Sequence, residues 1–555
     1  MKIGKLFLLA LLLLNSSLFA QQLNEAQIQK INAQFEAWNS THTPGGAVGI
    51  FKDGKIIYSN AFGMASLEYD IPNTANTIFN IASVSKQITA YSLVLLEQQG
   101  KLSLDDEVQK HLPEVPDFGK KITLRHLMTH TSGLRNFQNI LAMAGWREGE
   151  SMTNDDLLRF ISMQKELNFD PGAEYLYCNS GFNLATAIVE RLSGQTFQDW
   201  TQENIFGPLG MTNTTYREDL EIIHKNSATS YDGNAATGFR QPLKYWTYMG
   251  NGNVYTTIED LGKWLNNFRV PTLGGKEGIE TLTTPGILNN GETLSYALGI
   301  GVGKYRGLRR FSHGGSVGGY RSNMVYFPDE EMGIIVLSNF SSAGAQPKVF
   351  AIADLLLEDK FPIPKEPARS TTQTDTKEEK VDLTEEEITP FVGKYFVDGV
   401  VVDFSKKGNQ LYIYAEGELP QPLPIYPVSP TAFVSDAAPI KVQFLEGTPI
   451  RTRIKFGPDN YRGVQLAATE ELDGLEGTYY SPELDTEYHI TKDGDQYTVK
   501  HQRHDDFELV ALSDNKLMGT AYFFNDVVVV RAANGAINGI RVSNGRVRNL
   551  LFKKR

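Results

Sequence analysis

The segment at residues 83–100 reads Ser-Val-Ser-Lys-Gln-Ile-Thr-Ala-Tyr-Ser-Leu-Val-Leu-Leu-Glu-Gln-Gln-Gly. It predicts a helix over residues 85–99, and Gly100 follows as a stop signal. Apolar side chains cover most of the circumference of this helix. A helix that is apolar nearly all round is a buried one. The segment therefore predicts a buried helix with Ser83 and Lys86 at its start.

Ser83 and Lys86 are the first candidates for catalysis. A serine and a lysine three positions apart on a helix share one face. A serine hydroxyl is a poor nucleophile until a neighbouring group takes its proton, and a lysine held close in a partly dry site can help to do so. The helix start adds backbone N–H groups and a positive dipole end, which favour a developing oxyanion. Taken alone the pattern is weak, because an ordinary helix start would look the same.

A second motif, Tyr177-Cys178-Asn179, offers a candidate general base. A tyrosine near a lysine ammonium has its pKa lowered from its usual value of about 10, so Tyr177 can accept the proton of the serine. Asn179 carries amide groups that can orient the lysine or a substrate amide. For Cys178 we favour a small buried residue over a catalytic thiol.

A third motif, His313-Gly314-Gly315-Ser316, ends a strand-like stretch. The glycines, Gly315 among them, allow a substrate backbone to approach the strand closely. The backbone N–H of Ser316 can pair with that of Ser83 as an oxyanion hole. We expect Asn179 and His313 to position substrate and lysine.

The three motifs, in this order, resemble the signature of the serine β-lactamase and penicillin-binding-protein superfamily. The resemblance is to its class C-like branch, the S12 serine peptidases, which includes D-aminopeptidases and carboxylesterases. It extends to residues 122–134 and 250–261 and covers about residues 30–360. His313 stands where β-lactamases have the lysine of Lys-Thr-Gly, and this His-x-Gly form is similar to that of D-aminopeptidases and some esterases. Those D-aminopeptidases also carry two C-terminal β-barrels.

The pattern along the chain predicts several domains. A hairpin at residues 47–63, helices to about residue 265 and strands near 309–339 indicate an α/β domain over 21–360, with an antiparallel sheet flanked by helices. Proline and charged residues over 361–388 indicate a linker. Residues 391–396 resemble residues 475–480, which predicts two tandem all-β units of roughly 80 residues, barrel-like, at 389–470 and 471–555.

The N-terminus predicts export. Lys2 and Lys5 precede an apolar run at residues 6–14, and small and polar residues follow up to Ala20. This order is typical of a secretory signal peptide at residues 1–20 that is cut after Ala20. The resulting protein is expected to be periplasmic or secreted, in a bacterium, with no integral membrane segment after cleavage.

Composition excludes several classes of protein. The chain has 555 residues, a formal net charge of −12 and one cysteine. The acidic balance argues against nucleic acid as a partner, and one cysteine forbids an intrachain disulfide or a Cys-based zinc ribbon. His126 and His130 are four residues apart, as zinc ligands on a helix can be, but no third ligand is apparent. We expect neither a metal nor an organic cofactor.

The expected function is acyl transfer through an acyl-serine intermediate on a small-molecule or peptide substrate. The bond that we expect to be cleaved is an amide or an ester, as in a D-amino-acid peptide or amide or in a carboxylic ester. A true β-lactamase or a D-alanyl-D-alanine carboxypeptidase is the first alternative. The second is a non-catalytic protein on the same scaffold that binds cell-wall material. Because an ordinary histidine is mostly uncharged at neutral pH, His313 predicts weaker β-lactam recognition than a lysine would give.

Overall fold

The computed structural model of the chain describes residues 23–147, 149–363, 380–397, 400–415, 419, 421–447, 449–456, 459–466, 472–494, 496–513 and 515–555. The predicted signal peptide and most of the predicted linker lie outside these residues. The chain forms two compact units, one of residues 1–138 and 147–366, the other of residues 139–146 and 367–555. Among the described residues, no helix has both the length and the hydropathy needed to cross a bilayer.

The first unit is built around a six-stranded antiparallel sheet. The strands of this unit are β1 (Gly46–Lys52), β2 (Lys55–Phe62), β3 (Met64–Ser66), β4 (Ile71–Pro72), β5 (Phe79–Asn80), β6 (Thr215–Tyr216), β7 (Asp232–Asn234), β8 (Gly238–Arg240), β9 (Val254–Thr256), β10 (Gly301–Tyr305), β11 (Leu308–Val317), β12 (Tyr320–Phe327) and β13 (Met332–Ser338). The main sheet has the order β10-β11-β12-β13-β1-β2.

Helices connect and flank these strands. Their bounds are α1 (Glu25–Ala33), α2 (Lys86–Gln98), α3 (Val108–His111), α4 (Leu124–Met128), α5 (Phe137–Met143), α6 (Asn154–Ser162), α7 (Ser180–Ser193), α8 (Phe197–Thr201), α9 (Ile258–Arg269), α10 (Gly275–Thr283) and α11 (Ala345–Leu356). Short 3₁₀ turns span Glu36–Trp38, Ala82–Ser85 and Pro328–Glu330, and a π turn spans Gln202–Phe206. The α/β class and the antiparallel sheet are as predicted, although helices continue past residue 265.

The hairpin of β1 and β2, at one edge of the main sheet, shows why the sequence predicted two paired strands there. Asp53 and Gly54 join β1 to β2, and both have positive φ, 53° and 75°. Two residues of this conformation make the tight turn that matches the twist of paired strands. Every residue of β13, which pairs with β1, is buried, so the sheet places its apolar strands in the middle.

Helix α2 is the buried helix expected from the sequence. Its residues Lys86 to Leu96 are all buried. A 3₁₀ turn, Ala82–Ser85, precedes it and carries Ser83, so the nucleophile candidate sits just before the helix. Residues of the first hydrophobic core of the unit pack around α2. This packing fixes the position of the 3₁₀ turn that precedes the helix.

The second unit contains two closed eight-stranded barrels. The first follows α12 (Glu385–Ile388) and a 3₁₀ turn at Thr389–Phe391. Its strands are β14 (Gly393–Val397), β15 (Val400–Lys407), β16 (Gln410–Ala415), β17 (Leu423–Pro427), β18 (Ala432–Val434), β19 (Ile440–Leu445), β20 (Arg451–Phe456) and β21 (Asp459–Gln465). Those of the second are β22 (Gly477–Ser481), β23 (Thr486–Asp493), β24 (Gln496–Lys500), β25 (Phe507–Ser513), β26 (Lys516–Gly519), β27 (Asp526–Arg531), β28 (Ile537–Asn544) and β29 (Val547–Lys554).

The two barrels repeat each other, as the short internal repeat predicted. Gly393 and Gly477 start the first strand of each barrel with φ of 136° and 139°. Two residues later, Tyr395 and Tyr479 are each fully buried in the barrel interior. Tyr395 and Tyr479 therefore belong to the cores of the barrels.

The segment Asn139–Trp146 belongs to the second unit although it lies far from the barrels in sequence. Tyr488 in β23 donates a buried hydrogen bond to the carbonyl of Met143 (2.7 Å). The Nε2 of His504 lies 2.6 Å from the carbonyl of Ala142. Both His501 and His504 are partly buried.

Candidate active site

The turn that carries Ser83 is held by hydrogen bonds to its backbone. Ser322 on β12 donates its hydroxyl to the carbonyl of Ile81 (2.7 Å), and the N–H of Ala82 donates to the side chain of Asn80 (2.8 Å). Ala82 has a φ of 46°, an unusual conformation for a non-glycine residue. Such backbone strain persists where the surroundings fix it, so Ser83 has a well-defined position.

Lys86 lies directly beside Ser83. Its ammonium donates to the hydroxyl of Ser83 (3.1 Å) and to the carbonyl of Asn251 (2.5 Å). The side chain has no exposed surface. The ammonium is also 5.0 Å from the centre of the Tyr177 ring, so the first two sequence motifs meet at one lysine.

Tyr177 belongs to a cluster of rings. The ring of His130 lies 4.1 Å from it and 4.9 Å from that of Tyr296, centre to centre. His130 is buried, has a φ of 60°, and its Nδ1 accepts the N–H of Cys178 (3.0 Å). His130 therefore fixes the backbone that follows Tyr177, whereas His126 caps its own helix, α4, at Thr123.

Asn179 is the residue just before α7, and both its side chain and its backbone make hydrogen bonds. Its Nδ2 donates to the side-chain oxygen of Gln138, and its own backbone N–H donates to the side chain of Asn136 (2.8 Å). Its Oδ1 is buried and finds no hydrogen-bond donor within the described part of the chain. An unpaired buried acceptor is costly unless something else supplies a donor, and a substrate N–H is a suitable one.

His313 on β11 has both ring nitrogens engaged within the protein. Nδ1 lies 2.6 Å from the carbonyl of Gly314, and Nε2 lies 2.8 Å from the hydroxyl of Tyr296. Because a carbonyl only accepts, Nδ1 carries the proton and Nε2 accepts from the tyrosine. Burial first, and the nearby Lys86 second, lower the pKa of His313 to about 4. The ring is therefore neutral at pH 7, and it can hydrogen-bond a substrate only by exchanging one of these partners.

Gly315 marks the point where β11 meets the turn that carries Ser83. A Cβ added to it would lie 2.2 Å from the carbonyl oxygen of Ile81 and 3.1 Å from the Cβ of Ala82. No side chain fits in that space, so the close approach of strand and turn requires glycine here. The sequence had assigned the glycine to a substrate backbone, and the structure adds this contact within the protein.

Ser316 is exposed at the next position and lines a groove of 270 Å³. Lys244, Trp246 and Arg321 line the same groove. The ammonium of Lys244 lies 4.7 Å from the centre of the Trp246 ring. Arg321 donates its Nη1 to two backbone carbonyls of the neighbouring turn, at 2.8 Å each. Asp232 lines the groove as well, so the groove beside the third motif holds two cations, one carboxylate and an aromatic ring.

Several residues of the site were not found from the sequence. The carbonyl of Asn251 receives Lys86, but a backbone carbonyl leaves no signal in residue type. Tyr296 and Gln138 belong to no motif, and their roles depend on partners that are distant in sequence. The segment around Asn251 did carry a signal, because it was part of the family resemblance.

Comparisons with known proteins agree with this geometry. The sequence model described as "Beta-lactamase" matches residues 22–357. Penicillin-binding protein 4* of Bacillus subtilis (strain 168) is 30% identical over 432 residues, which are 74% of this chain and 92% of that protein. D-aminopeptidases of Gluconobacter oxydans (strain 621H) and Brucella anthropi are each 28% identical, over 63% and 57% of this chain. The matched regions are 64% and 59% of those enzymes, so the chain covers less than two thirds of their length.

Solved structures show the same fold. A penicillin-binding protein homologue from Pyrococcus abyssi, described as octameric, has a TM-score of 0.55 and 23% identity over 84% of this chain and 100% of its own. A D-amino acid amidase from Ochrobactrum anthropi SV3, complexed with D-phenylalanine, has a TM-score of 0.51 and 20% identity over 60% of this chain and 100% of its own.

Proposed function

This chain belongs to the β-lactamase family and is a serine hydrolase, and we propose that it cleaves amides or esters through an acyl enzyme on Ser83. The proposed substrates are peptides or amides of D-amino acids, or carboxylic esters. The proposal includes export, which rests on the N-terminal sequence. It needs no metal or organic cofactor.

One observation carries the proposal, namely the hydrogen bond from the buried ammonium of Lys86 to the hydroxyl of Ser83 (3.1 Å). A buried ammonium next to a serine and a tyrosine is positioned to organise proton transfer between them. An ordinary helix start would not bury a lysine side chain completely, because lysine is almost never fully buried unless it is paired.

The reaction follows from this arrangement. The Oγ of Ser83 bonds to the carbonyl carbon while its proton passes to the phenolate of Tyr177, which the ammonium of Lys86 stabilises, and the backbone N–H groups of Ser83 and Ser316 hold the oxyanion. The tetrahedral intermediate then breaks its bond to the leaving group, which takes the same proton. Water, activated by Tyr177, attacks the ester on Ser83 and releases the acid. The Oδ1 of Asn179 is available to accept an N–H of the substrate.

The groove at Ser316 favours a second candidate. A carboxylate on the substrate would meet the cations of Lys244 and Arg321 there, in competition with the carboxylate of Asp232. Arginine binds a carboxylate through paired N–H groups. This is the feature that a D-alanyl-D-alanine carboxypeptidase or a β-lactamase requires, so both remain alternative functions of the same catalytic pair.

The test is a hydrolysis screen with the full chain. It should include D-amino-acid amides, p-nitrophenyl acetate, nitrocefin and peptidoglycan stem peptides. We expect turnover of at least one ester or D-amino-acid amide, and covalent labelling by a fluorophosphonate. Ser83→Ala should lose both, with a fall in rate of at least about 10³-fold.

Ser92→Ala is the matched control. Ser92 is a buried serine on the same helix whose hydroxyl donates to the carbonyl of Ile88. This variant should keep both labelling and turnover. If Ser83→Ala retained wild-type turnover, Ser83 would not be the nucleophile. If the wild type neither labelled nor hydrolysed any substrate, the chain would be a binding protein on this scaffold.

A further inference from the structure

The groove beside Ser316 holds two charges of opposite sign that are not paired with each other. Asp232 and Arg321 both line it, and neither forms a salt bridge within the described part of the chain. Arg240 on β8 is the register partner of Asp232, but the two side chains do not form a salt bridge either. A ligand that carries both signs of charge could therefore use both residues.

Asp232 is held in place through only one of its carboxylate oxygens. Its Oδ1 accepts the hydroxyl of Ser341 and the N–H of Gly233 (2.9 Å). Its Oδ2 accepts no hydrogen bond from the described residues. The hydrogen bond from Ser341 first, that from Gly233 second, and the more distant charge of Arg321 lower the pKa of Asp232. The carboxylate is therefore ionised at pH 7, and one of its oxygens is available to a ligand.

Arg321 is held in the same manner, through only one of its nitrogens. Its Nη1 donates to the carbonyls of Gly318 and Tyr320 (2.8 Å each). Its Nε and Nη2 donate no hydrogen bond to the described residues. These two N–H groups form the fork with which an arginine binds a carboxylate through paired hydrogen bonds. Because Arg321 is the register partner of Ser316, its side chain starts roughly 5 Å from that of Ser316, between Cβ atoms.

The charges of the groove discriminate between possible ligands. A lone carboxylate is attracted by Arg321 and Lys244 and repelled by Asp232. A lone ammonium is attracted by Asp232 and repelled by the two cations. A group that carries both charges can place its carboxylate on the fork of Arg321 and its ammonium on the Oδ2 of Asp232. The free α-amino acid head group, with an ammonium and a carboxylate on one carbon, is such a group.

We propose that the groove binds a free α-amino acid head group at the far end of the acyl chain. The preferred substrates are then amides or esters of the side-chain carboxyl of an α-amino dicarboxylic acid, such as γ-glutamyl amides. This inference rests on the proposed acyl-enzyme function and names its substrate class. An α-amide would not fit equally well, because its α-carboxyl is the group that is cleaved and its acyl part keeps only the ammonium.

The position of the groove suits a short acyl chain. The chain starts at the carbonyl carbon, whose oxygen the N–H of Ser316 is proposed to hold. Arg321 lies opposite Ser316 on the neighbouring strand, so a chain of a few carbons reaches its fork. The volume of the groove, 270 Å³, is just below the range of about 300–1,000 Å³ that is usual for whole ligands. It therefore suits one end of a substrate.

Three p-nitroanilides test the two charges separately, with the full chain as the enzyme. The γ-glutamyl compound carries both charges, the glutaryl compound lacks the ammonium, and the 4-aminobutyryl compound lacks the carboxylate. Both enantiomers of the γ-glutamyl compound are measured, and the faster one is used. We expect its kcat/KM to exceed that of each of the other two compounds at least about tenfold, the size expected for loss of one hydrogen-bonded charge pair.

Two variants assign each charge to its residue. Asp232→Asn should bring the γ-glutamyl compound to within about twofold of the glutaryl compound, while its preference over the 4-aminobutyryl compound remains. Arg321→Gln should do the reverse. Each comparison is made between substrates on one variant, so a general loss of activity from a disturbed turn cancels.

Arg309→Gln and Asp329→Asn are the matched controls, because they remove the same charges from an exposed salt bridge in the same unit, outside the groove. Both should keep the wild-type preferences. If the wild type hydrolysed p-nitrophenyl acetate through Ser83 but showed no preference among the three anilides, or preferred the glutaryl compound, the head-group proposal would be overturned and the proposed function would stand. Faster hydrolysis of N-ε-acetyl-lysine, whose head group is on the leaving side, would also overturn it. Absence of all turnover and labelling would overturn the proposed function itself.

Discussion

A lysine side chain without exposed surface is stable only where partners compensate for the lost hydration of its ammonium. Among the partners of Lys86 are the hydroxyl of Ser83 and the carbonyl of Asn251. The carbonyl holds the ammonium in place without accepting its proton. The serine is a partner whose chemistry the lysine can change, which is why we expect the charge of this residue to matter more than its packing.

Replacing Lys86 with methionine tests this argument. Lys86→Met keeps an unbranched side chain of similar length and removes the charge, and we expect kcat/KM to fall by about 10²–10⁴-fold, the usual range for loss of an acid–base group. The fold should survive, because an apolar side chain suits a buried position. Lys263→Met, which removes a partly exposed lysine paired with Asp260 in the same unit, should keep kcat/KM within about twofold. Equal rates for wild type and Lys86→Met would contradict the mechanism.

His313 makes stability depend on pH. Its pKa is about 4 in the folded protein, because of burial and the nearby Lys86, against 6.5 for an ordinary histidine. The unfolded chain therefore binds the proton more readily between these values. The stabilisation is complete above pH 6.5 and is lost as pH falls towards 4, on the order of 3 kcal/mol at 1.36 kcal/mol per pH unit.

The measurement is the free energy of unfolding at pH 5 and at pH 7.5. His313→Gln should show a smaller difference between the two pH values than the wild type, whatever its absolute stability. His42→Gln removes an exposed histidine and should keep the wild-type difference. An unchanged pH dependence in His313→Gln would show that His313 titrates normally.

The neutral His313 also bears on β-lactams. A charged hydrogen bond to a carboxylate is worth roughly 1.5–3 kcal/mol and a neutral one about 1, so replacing a lysine by a neutral histidine weakens recognition by roughly tenfold. We expect a higher kcat/KM for p-nitrophenyl acetate than for nitrocefin at pH 7. His313→Lys should raise nitrocefin turnover relative to ester turnover. A clear preference of the wild type for nitrocefin would instead assign the carboxylate to Arg321.

At this scale, the sequence predicted the groups whose chemistry depends on residue type. Ser83, Lys86 and Tyr177 were predicted as catalytic candidates from two short motifs, and the structure brings their side chains together. Tyr296 was not, because its role comes only from the position of His313 on another element. Whether the nitrogens of His313 are free could not be predicted either, since hydrogen-bond partners are set by the fold.

Among the elements, the contact between β11 and the 3₁₀ turn at Ala82–Ser85 is the most sensitive to substitution. Gly315→Ala would place a Cβ 2.2 Å from the carbonyl oxygen of Ile81, and backbone cannot yield as a flexible side chain can. We expect the strand to move away from Ser83, with at least a roughly 100-fold fall in kcat/KM, since small displacements of reacting groups cost about that much.

Gly314→Ala is the control for this prediction. Its added Cβ would meet only the side-chain amide of Asn323 at 3.1 Å and a carbonyl at 3.8 Å. This variant should retain most of its activity, measured with the same ester. Similar losses in both variants would mean that the strand tolerates no side chain anywhere in the motif, and the specific contact with Ile81 would not be the cause.

Sequence patterns predicted helices and strands where the periodicity of apolar residues was strong. The hairpin of β1 and β2 and the buried helix α2 follow from alternation and from an all-round apolar surface. The 3₁₀ turn before α2 was not predicted, because its conformation comes from side chains of β12 and of Asn80 that hold it. The grouping of Asn139–Trp146 with the second barrel was also missed, since local sequence does not encode a contact with residues hundreds of positions away.

For the whole molecule, the net charge limits which partners are expected, but it does not show local regions of opposite charge. The formal charge of −12 correctly describes the chain as acidic, yet the first barrel concentrates five cations on three strands, namely Lys441, Arg451, Arg453, Lys455 and Arg462. The internal repeat predicted two similar barrels, and the structure shows that repeated folds carry different surfaces. Net charge therefore could not predict this local concentration of positive charge, which becomes visible only with the strand register.

We propose that the first residues direct the whole molecule out of the cytoplasm. The apolar run at residues 6–14, after Lys2 and Lys5, is long enough for a signal peptide and short for a membrane span. Expressed in a bacterium with this leader, the protein should be recovered outside the cytoplasm, and mass spectrometry should find an N-terminus at Gln21. Leu11→Arg breaks the apolar run and should keep the full-length chain in the cytoplasm, while Gln22→Arg, beyond the cleavage site, should not. Recovery of uncleaved wild-type chain from the membrane fraction would show instead that the segment is a retained anchor.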